Sequence, residues 1–189
     1  RKQSVFSRPT YLLSTKAKLV IDTSSSDETK NITATVTELK NGVWVPVKDV
    51  ELKIPIGFPK LSYDFSNNKL SPEIFTIGRK LFYDPLLSKD SSTSCESCHQ
   101  RVAAFAHIDH ALSHGIDGKI GTRNVPPLQN LIWNDSYMWD GGVNNLEIQP
   151  INPITNPIEM NETLIDVVMK LQRNKEYVEA AMCLGFTTR

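Results

Sequence analysis

The stretch SSTSCESCHQ, residues 91–100, contains two cysteines three positions apart and a histidine directly after the second. In a helical turn, Cys95 and Cys98 lie on one face, where both thiols can add to the vinyl groups of a single haem. His99 then faces the iron as its axial ligand. The pattern predicts covalently attached haem c and a segment packed around a large apolar macrocycle, which replaces core side chains.

Other uses of paired cysteines fit this sequence less well. A structural zinc ion needs four ligands, and Cys183 with scattered histidines supplies a second pair poorly. A dithiol redox pair is typical of a βαβ context, which the sequence lacks. The three cysteines do not form a disulfide framework either, because Cys95 and Cys98 are too close for an ordinary structural bridge.

Charge and hydropathy point to no class of partner. The chain has 21 basic and 21 acidic residues and a pI near 7.1, so no overall field favours nucleic acid or an anionic membrane. It contains no run of 18 or more apolar residues. Haem attachment of this kind takes place outside the bacterial cytoplasm, so we expect the periplasm or the outer face of a membrane.

The chain is predicted to have two parts. From Ala17 to Ile56, the segments AKLVI, ITATVTEL, VWVPV and VELKI are typical of strands, and Asn41-Gly42 is typical of a hairpin turn. We interpret residues 1–57 as a partial β-rich accessory module. Residues 58–189 are predicted to form a mainly α, cytochrome c-type haem domain with long irregular loops.

Three helices are predicted in the second part. Ser71 can cap an amphipathic helix that ends near Asp84-Pro85. The stretch from Gly115 to Pro157 is rich in glycine, proline and asparagine, which predicts mostly irregular loop. Helix is predicted to resume at Asn161, and a last helix to cover Lys175 to Cys183.

The second axial position of the iron separates an electron carrier from an enzyme. We call Cys95–His99 the haem motif. Three histidines follow it closely along the chain: His107, His110 and His114. Met138 and Met160 lie at distances where small electron-carrying cytochromes place a thioether ligand. Spacing alone does not choose among these five residues.

Several motifs occur in a family-specific order. The segments IGRKLFYDPLLSKDSSTSCESCH, SHGIDGKIGTRNVPPLQN, MWDGG, LEIQP and NPIEM, between Pro59 and Glu179, resemble the N-terminal haem domain of bacterial dihaem cytochrome c peroxidases. The same pattern occurs in their relative that matures the quinone cofactor of methylamine dehydrogenase. In the peroxidases this domain carries the low-potential haem at which hydrogen peroxide is reduced.

The resemblance implies roles for five residues. His114 matches the histidine that blocks the distal side of the iron until activation, although two extra residues separate SHG from GTRN here. Glu159 matches a distal acid-base residue, and Gln149 matches a residue that can hold peroxide or water. Trp139 matches a residue between two haems that assists electron passage. Asn124 matches a position that binds calcium.

The resemblance therefore implies an enzyme, a cytochrome-c peroxidase that reduces hydrogen peroxide to water. Its expected partners are peroxide, a small cytochrome c or copper protein as electron donor, and a second copy of the chain in a homodimer. Its expected cofactors are one haem c and calcium. The family's second haem motif does not occur in this sequence, and the ending AAMCLGFTTR departs from the family pattern, so we expect an incomplete enzyme with slow turnover.

Two alternatives remain open from the sequence. One is a single-haem electron-transfer cytochrome in which Met138 or Met160 is the sixth ligand. The other is a maturation enzyme or oxidase that uses the same domain for a protein or a small organic substrate.

Overall fold

The computed structural model describes residues 52, 54, 56–108 and 110–185 in full, and four strands by their backbone. The chain divides into two compact units. The first unit combines Arg1–Leu52, Leu70–Lys80 and Asn174–Arg189, and the second combines Lys53–Lys69 and Leu81–Arg173. The predicted domain boundary near residue 57 stays a prediction.

The first unit contains an antiparallel sheet in which the strand order follows the chain. Its strands are β1 (Thr10–Ser14), β2 (Ala17–Asp22), β3 (Thr33–Lys40) and β4 (Val43–Pro46). Val20 of β2 stands opposite Thr10 on one side and Thr35 on the other, which sets the register of the first three strands. Lys40 pairs with Val43, so two residues connect β3 to β4.

Some of the β-strand predictions fall on residues outside the described part of the chain. The Asn41-Gly42 turn lies outside the described residues. In the predicted strand VELKI, Leu52 and Ile54 have no strand structure, and the neighbouring positions 50, 51 and 53 also lie outside. Strand β1 was not predicted. That the sheet forms an accessory module stays a prediction.

Helix α1 (Pro72–Tyr83) begins and ends where the sequence predicts. The Oγ atom of Ser71 accepts a hydrogen bond from the backbone N–H of Ile74 at 3.2 Å, which satisfies one of the free donors of the first turn. Pro72 is the first helical residue, where a missing N–H does no harm. The helix ends before Asp84-Pro85 because proline disfavours helical backbone in the residue that precedes it.

Helix α5 (Lys175–Cys183) also has the predicted bounds. Its cap is Asn174, whose Oδ1 atom accepts from the backbone N–H of Glu176 at 3.1 Å. In the same unit, Lys80 of α1 forms an ion pair with Glu176 and lies 4.8 Å above the centre of the Tyr177 ring. Tyr177 is buried, so these contacts fix the first turn of α5.

The second unit consists of short helices and long irregular segments. It contains α2 (Cys95–Cys98), α3 (Ile151–Thr155) and α4 (Leu164–Arg173), together with 3-10 turns at Pro85–Leu87, Arg101–Ala103, Ile116–Gly118 and Leu131–Trp133. The predicted mainly α class is thus confirmed for the fully described part of the chain. Among the described helices, none has both the length and the apolar character that crossing a bilayer requires.

The predicted start of α4 was wrong by three residues. Asn161 has a φ of +50°, which is left-handed and incompatible with a helix start. The helix begins at Leu164 because Thr163 caps it: the Oγ1 atom of Thr163 accepts from the backbone N–H of Asp166 at 3.1 Å.

Among the described residues of the second unit, few apolar side chains are buried. They are Leu87, Ile116, Val125, Tyr137 and Met160. Large apolar side chains in the same unit stay exposed, including Val102 at 85%, Ile120 at 59% and Ile148 at 51%. The second unit therefore exposes apolar surface to water, and a large apolar group could cover that surface.

A buried ion pair joins α4 to the turn before the haem motif. Lys170 forms an ion pair with Glu162, whose side chain is only 4% exposed. The Nζ atom of Lys170 also donates to the carbonyl oxygen of Ser88 at 2.6 Å, and Ser88 is fully buried. One ammonium group therefore satisfies a buried carboxylate and a buried carbonyl.

We predict that Lys170→Met destabilises the protein by about 3 kcal/mol, because it leaves the Glu162 carboxylate buried without its partner. Urea unfolding followed by circular dichroism measures the change. Lys175→Met is the matched control, since the Lys175 side chain is 86% exposed, and it should leave stability nearly unchanged. Equal stability of the two variants would contradict a structural role for the buried pair.

Candidate functional site

The two motif cysteines lie on a helical turn that its own serines hold closed. The Oγ atom of Ser94 accepts from the backbone N–H of Ser97 at 3.3 Å, and the Oγ atom of Ser97 accepts from the N–H of Ser94 at 3.1 Å. This reciprocal capping box, with the bond from His99 N–H to the Cys95 carbonyl at 2.9 Å, sets Cys95 and Cys98 on one face. Both thiols are half-buried, and burial raises the pKa of each, so they are neutral at pH 7.

The ring of His99 is oriented by a backbone carbonyl. Its Nδ1 atom lies 2.9 Å from the carbonyl oxygen of Phe105. Because a carbonyl can only accept, Nδ1 carries the proton, and Nε2 keeps a free lone pair. Burial lowers the pKa of the imidazole, and hydrogen bonds with the backbone of Phe105 and Pro126 partly oppose this. His99 is therefore a neutral imidazole with the tautomer that a metal ligand requires.

A tight turn presents the Phe105 carbonyl to His99. Ala104 and Phe105 both adopt left-handed backbone, with φ of +57° and +59°. The turn is closed by hydrogen bonds from the N–H of Phe105 to the Gln100 carbonyl at 2.8 Å and from the N–H of Gln100 to the Ala106 carbonyl at 2.9 Å. Because neither left-handed residue is glycine, these backbone bonds have to hold a disfavoured conformation.

The segment that contains His114 contacts both the haem motif and Glu159. The Sγ atom of Cys98 donates to the carbonyl oxygen of His114 at 3.3 Å. Two residues later, the N–H of Ile116 donates to the carbonyl oxygen of Glu159 at 2.8 Å. The structure therefore brings together three of the sequence-predicted site residues, Cys98, His114 and Glu159.

Glycine at position 115 makes this contact possible. A Cβ atom on Gly115 would lie 1.8 Å from the carbonyl oxygen of Ile158 and 2.6 Å from that of Glu159. Real Cβ atoms do not approach backbone so closely. The φ of Gly115 is −111°, so close approach and not backbone conformation requires glycine here.

The carboxyl group of Glu159 is half-buried and held by Asn156. Burial raises the pKa of Glu159, and the hydrogen bond from Asn156 partly opposes the increase. That bond joins Nδ2 of Asn156 to Oε1 of Glu159 at 3.3 Å. The Oδ1 atom of Asn156 also accepts from the N–H of Ile158 at 3.0 Å, and its carbonyl accepts from the N–H of Glu159 at 3.0 Å.

The three histidines that follow the motif form a cluster. Ring centres are 4.4 Å apart for His110 and His114, 5.5 Å for His107 and His110, and 6.2 Å for His107 and His114. Within residues 56–108 and 110–185, no group of three His, Cys, Asp or Glu side chains is arranged to hold a metal ion. The carbonyl oxygen of His114 accepts from Cys98 and so contacts the haem motif. The assignment of His114 as distal ligand stays a prediction.

The remaining residues that the sequence predicts for the site lie in two hydrogen-bonded pairs. The Nε2 atom of Gln149 lies 3.3 Å from the Sδ atom of Met138. The Nε1 atom of Trp139 donates to the carbonyl oxygen of Asn124 at 2.8 Å, and the indole is 55% exposed. The roles of Gln149, Trp139 and Asn124 stay predictions. Met160, the other candidate thioether ligand, is only 3% exposed.

Two residues of the site were missed in the sequence. Asn156 had a readable signal, because Asn followed by Pro is typical of a side chain that hydrogen-bonds the backbone two residues later. Gly115 had none, because its requirement comes from a segment more than forty positions away in the chain.

The residues present fit haem c. The donors are two neutral thiols on one face and a neutral imidazole whose Nε2 carries no proton. The same unit also leaves large apolar side chains exposed, which suits an apolar macrocycle.

Comparison with known proteins gives concordant matches. A family model described as "Di-haem cytochrome c peroxidase" matches residues 72–183. The methylamine utilization protein MauG of Methylorubrum extorquens is 38% identical over 106 residues, which are 56% of this chain and 30% of that protein. The cytochrome c551 peroxidase of Pseudomonas aeruginosa is 32% identical over 123 residues, 65% of this chain and 35% of that protein. The chain thus spans about a third of the length of these relatives.

Solved structures agree with these matches. A MauG-like protein associated with microbial copper homeostasis superimposes with a TM-score of 0.65 at 28% identity, over 74% of this chain and 41% of that one. The diheme peroxidase BthA from Burkholderia thailandensis gives a TM-score of 0.56 at 25% identity, over 61% of this chain and 33% of that one.

We predict that Gly115→Ala lowers the free energy of unfolding by about 2 kcal/mol, because the new methyl group forces residues 113–116 away from Ile158 and Glu159. Thermal unfolding measures the loss. Gly78→Ala is the matched control, since a Cβ there meets nothing within 4 Å and favours helix α1. A Gly115→Ala protein as stable as Gly78→Ala would disprove the close packing of the two segments.

Proposed function

Because the chain belongs to the di-haem cytochrome c peroxidase family, we propose that it binds one haem c covalently and that this haem site reduces hydrogen peroxide. Haem-dependent oxidoreductase chemistry is the family's common character. Peroxide as the substrate is supported by similarity to the cytochrome c551 peroxidase and to BthA. The balanced reaction is H2O2 plus two electrons and two protons to two waters.

One observation carries the proposal. The half-buried carboxyl group of Glu159 belongs to a segment that is hydrogen-bonded to the segment of His114, and His114 contacts Cys98 of the haem motif. A group that exchanges protons is thereby tied to a predicted redox centre. Such proximity is what proton-coupled peroxide cleavage needs.

The chain's own residues would hold the haem from one side. The thiols of Cys95 and Cys98 would form the two thioether bonds, and Nε2 of His99 would bind the iron. When bound, the haem supplies a redox-active, Lewis-acidic iron. The hydrogen bond of His99 to Phe105 places the proton on Nδ1 and increases the basicity of Nε2.

Glu159 is proposed to move one proton between the two peroxide oxygens. Its carboxylate accepts the proton of one oxygen and returns it to the other, which leaves as water. Burial raises the pKa of this carboxyl toward neutrality, which favours both halves of the transfer. Asn156 holds the Oε1 atom of Glu159 and limits the rotation of the carboxyl group.

Gln149 is proposed to hold the peroxide. Its amide has an N–H group directed at the sulfur of Met138, so the carbonyl end can accept a hydrogen bond from peroxide. We further propose that His114 would be a second ligand of the haem iron at rest, that Trp139 would assist electron passage, and that Asn124 would contribute to a calcium site. The exposed indole of Trp139 is compatible with a neighbouring redox group.

The remaining expectations concern the whole protein. We propose a small cytochrome c or copper protein as electron donor, a homodimer, and the periplasm or the outer membrane face as location. The four-stranded sheet is proposed to belong to a β-rich accessory module that precedes the haem domain. Each proposal rests on the family pattern and on the site of covalent haem attachment.

A second candidate function has its own support. The 38% identity to MauG and the fold similarity to a MauG-like protein favour a maturation enzyme or oxidase that acts on another protein or an organic substrate. Steady-state turnover with peroxide and a reduced redox protein distinguishes the peroxidase from this relative. For the electron carrier with a Met138 or Met160 ligand, the ferric protein would have a sulfur-to-iron charge-transfer band.

We predict that Glu159→Gln slows peroxide reduction by a factor on the order of 10² to 10⁴, because the amide neither accepts nor returns a proton. Stopped-flow reoxidation of the chemically reduced holoprotein by peroxide measures the rate without an external donor. Glu147→Gln is the control: this exposed carboxylate accepts from the Tyr63 hydroxyl at 2.5 Å and is assigned no part in the reaction.

The pH profile gives the same variant a second readout. The carboxylate form must accept the first proton, so the rate falls as pH falls through the pKa of Glu159. Because burial raises that pKa, the acid limb should lie above the ordinary glutamate value of about 4.3 and should vanish in Glu159→Gln. An unchanged rate and an unchanged limb in Glu159→Gln would remove the residue from the mechanism.

A further inference from the structure

A thioether lies beside the residue proposed to hold peroxide. The Sδ atom of Met138 is 3.3 Å from Nε2 of Gln149, and the Met138 side chain is 40% exposed. The chain has four methionines. Met169 and Met182 are exposed to the same degree, at 38% and 45%, so they differ from Met138 in neighbours and not in accessibility.

The backbone around Met138 is fixed in an uncommon conformation. Met138 has a φ of +67°, which residues with side chains rarely adopt. The preceding residue, Tyr137, is buried and exchanges backbone hydrogen bonds with Val143. The carbonyl of Met138 accepts from the N–H of Gly141 at 3.2 Å. This turn places the sulfur beside Gln149 in spite of its disfavoured backbone.

We propose that Met138 is a peroxide-reactive methionine, which is converted to its sulfoxide when peroxide reaches the site and no electrons are supplied. This inference rests on the proposed function, because it takes Gln149 as the residue that holds peroxide. The site then has a second reaction with peroxide, in which a side chain is oxidised instead of an electron donor.

The step balances without any further reagent. A lone pair of the Met138 sulfur attacks one peroxide oxygen, a sulfur–oxygen bond forms, and the oxygen–oxygen bond breaks. The departing oxygen retains its hydrogen, takes up the proton of the transferred oxygen, and leaves as water. Sulfur is oxidised by two electrons, and peroxide is reduced by two.

The oxidation is selective for Met138 because Gln149 would hold peroxide close to its sulfur. A thioether needs no deprotonation to act as a nucleophile, so its rate depends on how often peroxide is held against it. Gln149 would hold peroxide within contact of the Met138 sulfur, whereas nothing on α4 does the same for Met169 among the described contacts. Sulfoxide formation then gives Gln149 a stronger, polar acceptor in place of the sulfur.

Peptide mass spectrometry tests the inference. The holoprotein, without an electron donor, is treated with a few equivalents of hydrogen peroxide, and sulfoxide formation is followed at each methionine. We expect Met138 to be oxidised about tenfold faster than Met169 and Met182. Gln149→Leu should reduce the Met138 rate to that of Met169. Equal rates at Met138, Met169 and Met182 in the unmodified sequence would overturn the inference.

A parallel assay separates this inference from the proposed function. Peroxide consumption is measured in the same preparation with a reduced electron donor. If peroxide is consumed while Met138 reacts no faster than Met169, the inference is overturned and the peroxidase proposal stands. If Met138 is selectively oxidised but donor-dependent consumption is absent, the inference stands as a peroxide-binding site and the peroxidase proposal fails. If neither is observed, both are overturned.

Discussion

The helical turn from Cys95 to Cys98 is the constraint on which the second unit depends. Its serine capping box fixes a single turn that is too short to be stable alone, and so presents two thiols on one face. His99 follows at once and is oriented by the Phe105 carbonyl, which two left-handed residues hold in place. Local hydrogen bonds thus position all three groups that are proposed to bind haem. Large apolar side chains of the same unit stay exposed, and a bound macrocycle is the kind of group that would cover such surface.

A second contact joins this binding turn to the proposed acid-base chemistry. Gly115 allows the backbone after His114 to lie directly against Ile158 and Glu159, and the bond from Ile116 to Glu159 fixes the contact. On the other side of Glu159, Asn156 holds the carboxyl group. Met160 is buried directly after it, and its carbonyl accepts from the N–H of Lys89 at 3.0 Å. The Glu159 segment is therefore held on both sides, as an acid-base residue requires when small displacements are costly.

The sequence predicted what local chemistry determines. Helices α1 and α5 have their predicted bounds because Ser71 and Asn174 cap them through side chains that bond near neighbours only. The start of α4 was wrong because Asn161 takes up a left-handed conformation that apolar periodicity does not reveal. The pairing of Gln149 with Met138 joins positions eleven residues apart, and the close approach at Gly115 joins positions more than forty apart. A single sequence contains no local signal for such contacts.

The most direct test of this account is whether the purified protein, expressed with a haem-attachment system, carries haem that acid-acetone extraction does not remove. Intact-mass spectrometry and the pyridine haemochrome spectrum of the same sample report this together. The account predicts a mass increase of one haem per chain, a spectrum typical of two thioether bonds, and loss of both when Cys95 and Cys98 are replaced by alanine. A chain with the unmodified mass, or with haem that extraction removes completely, would contradict it.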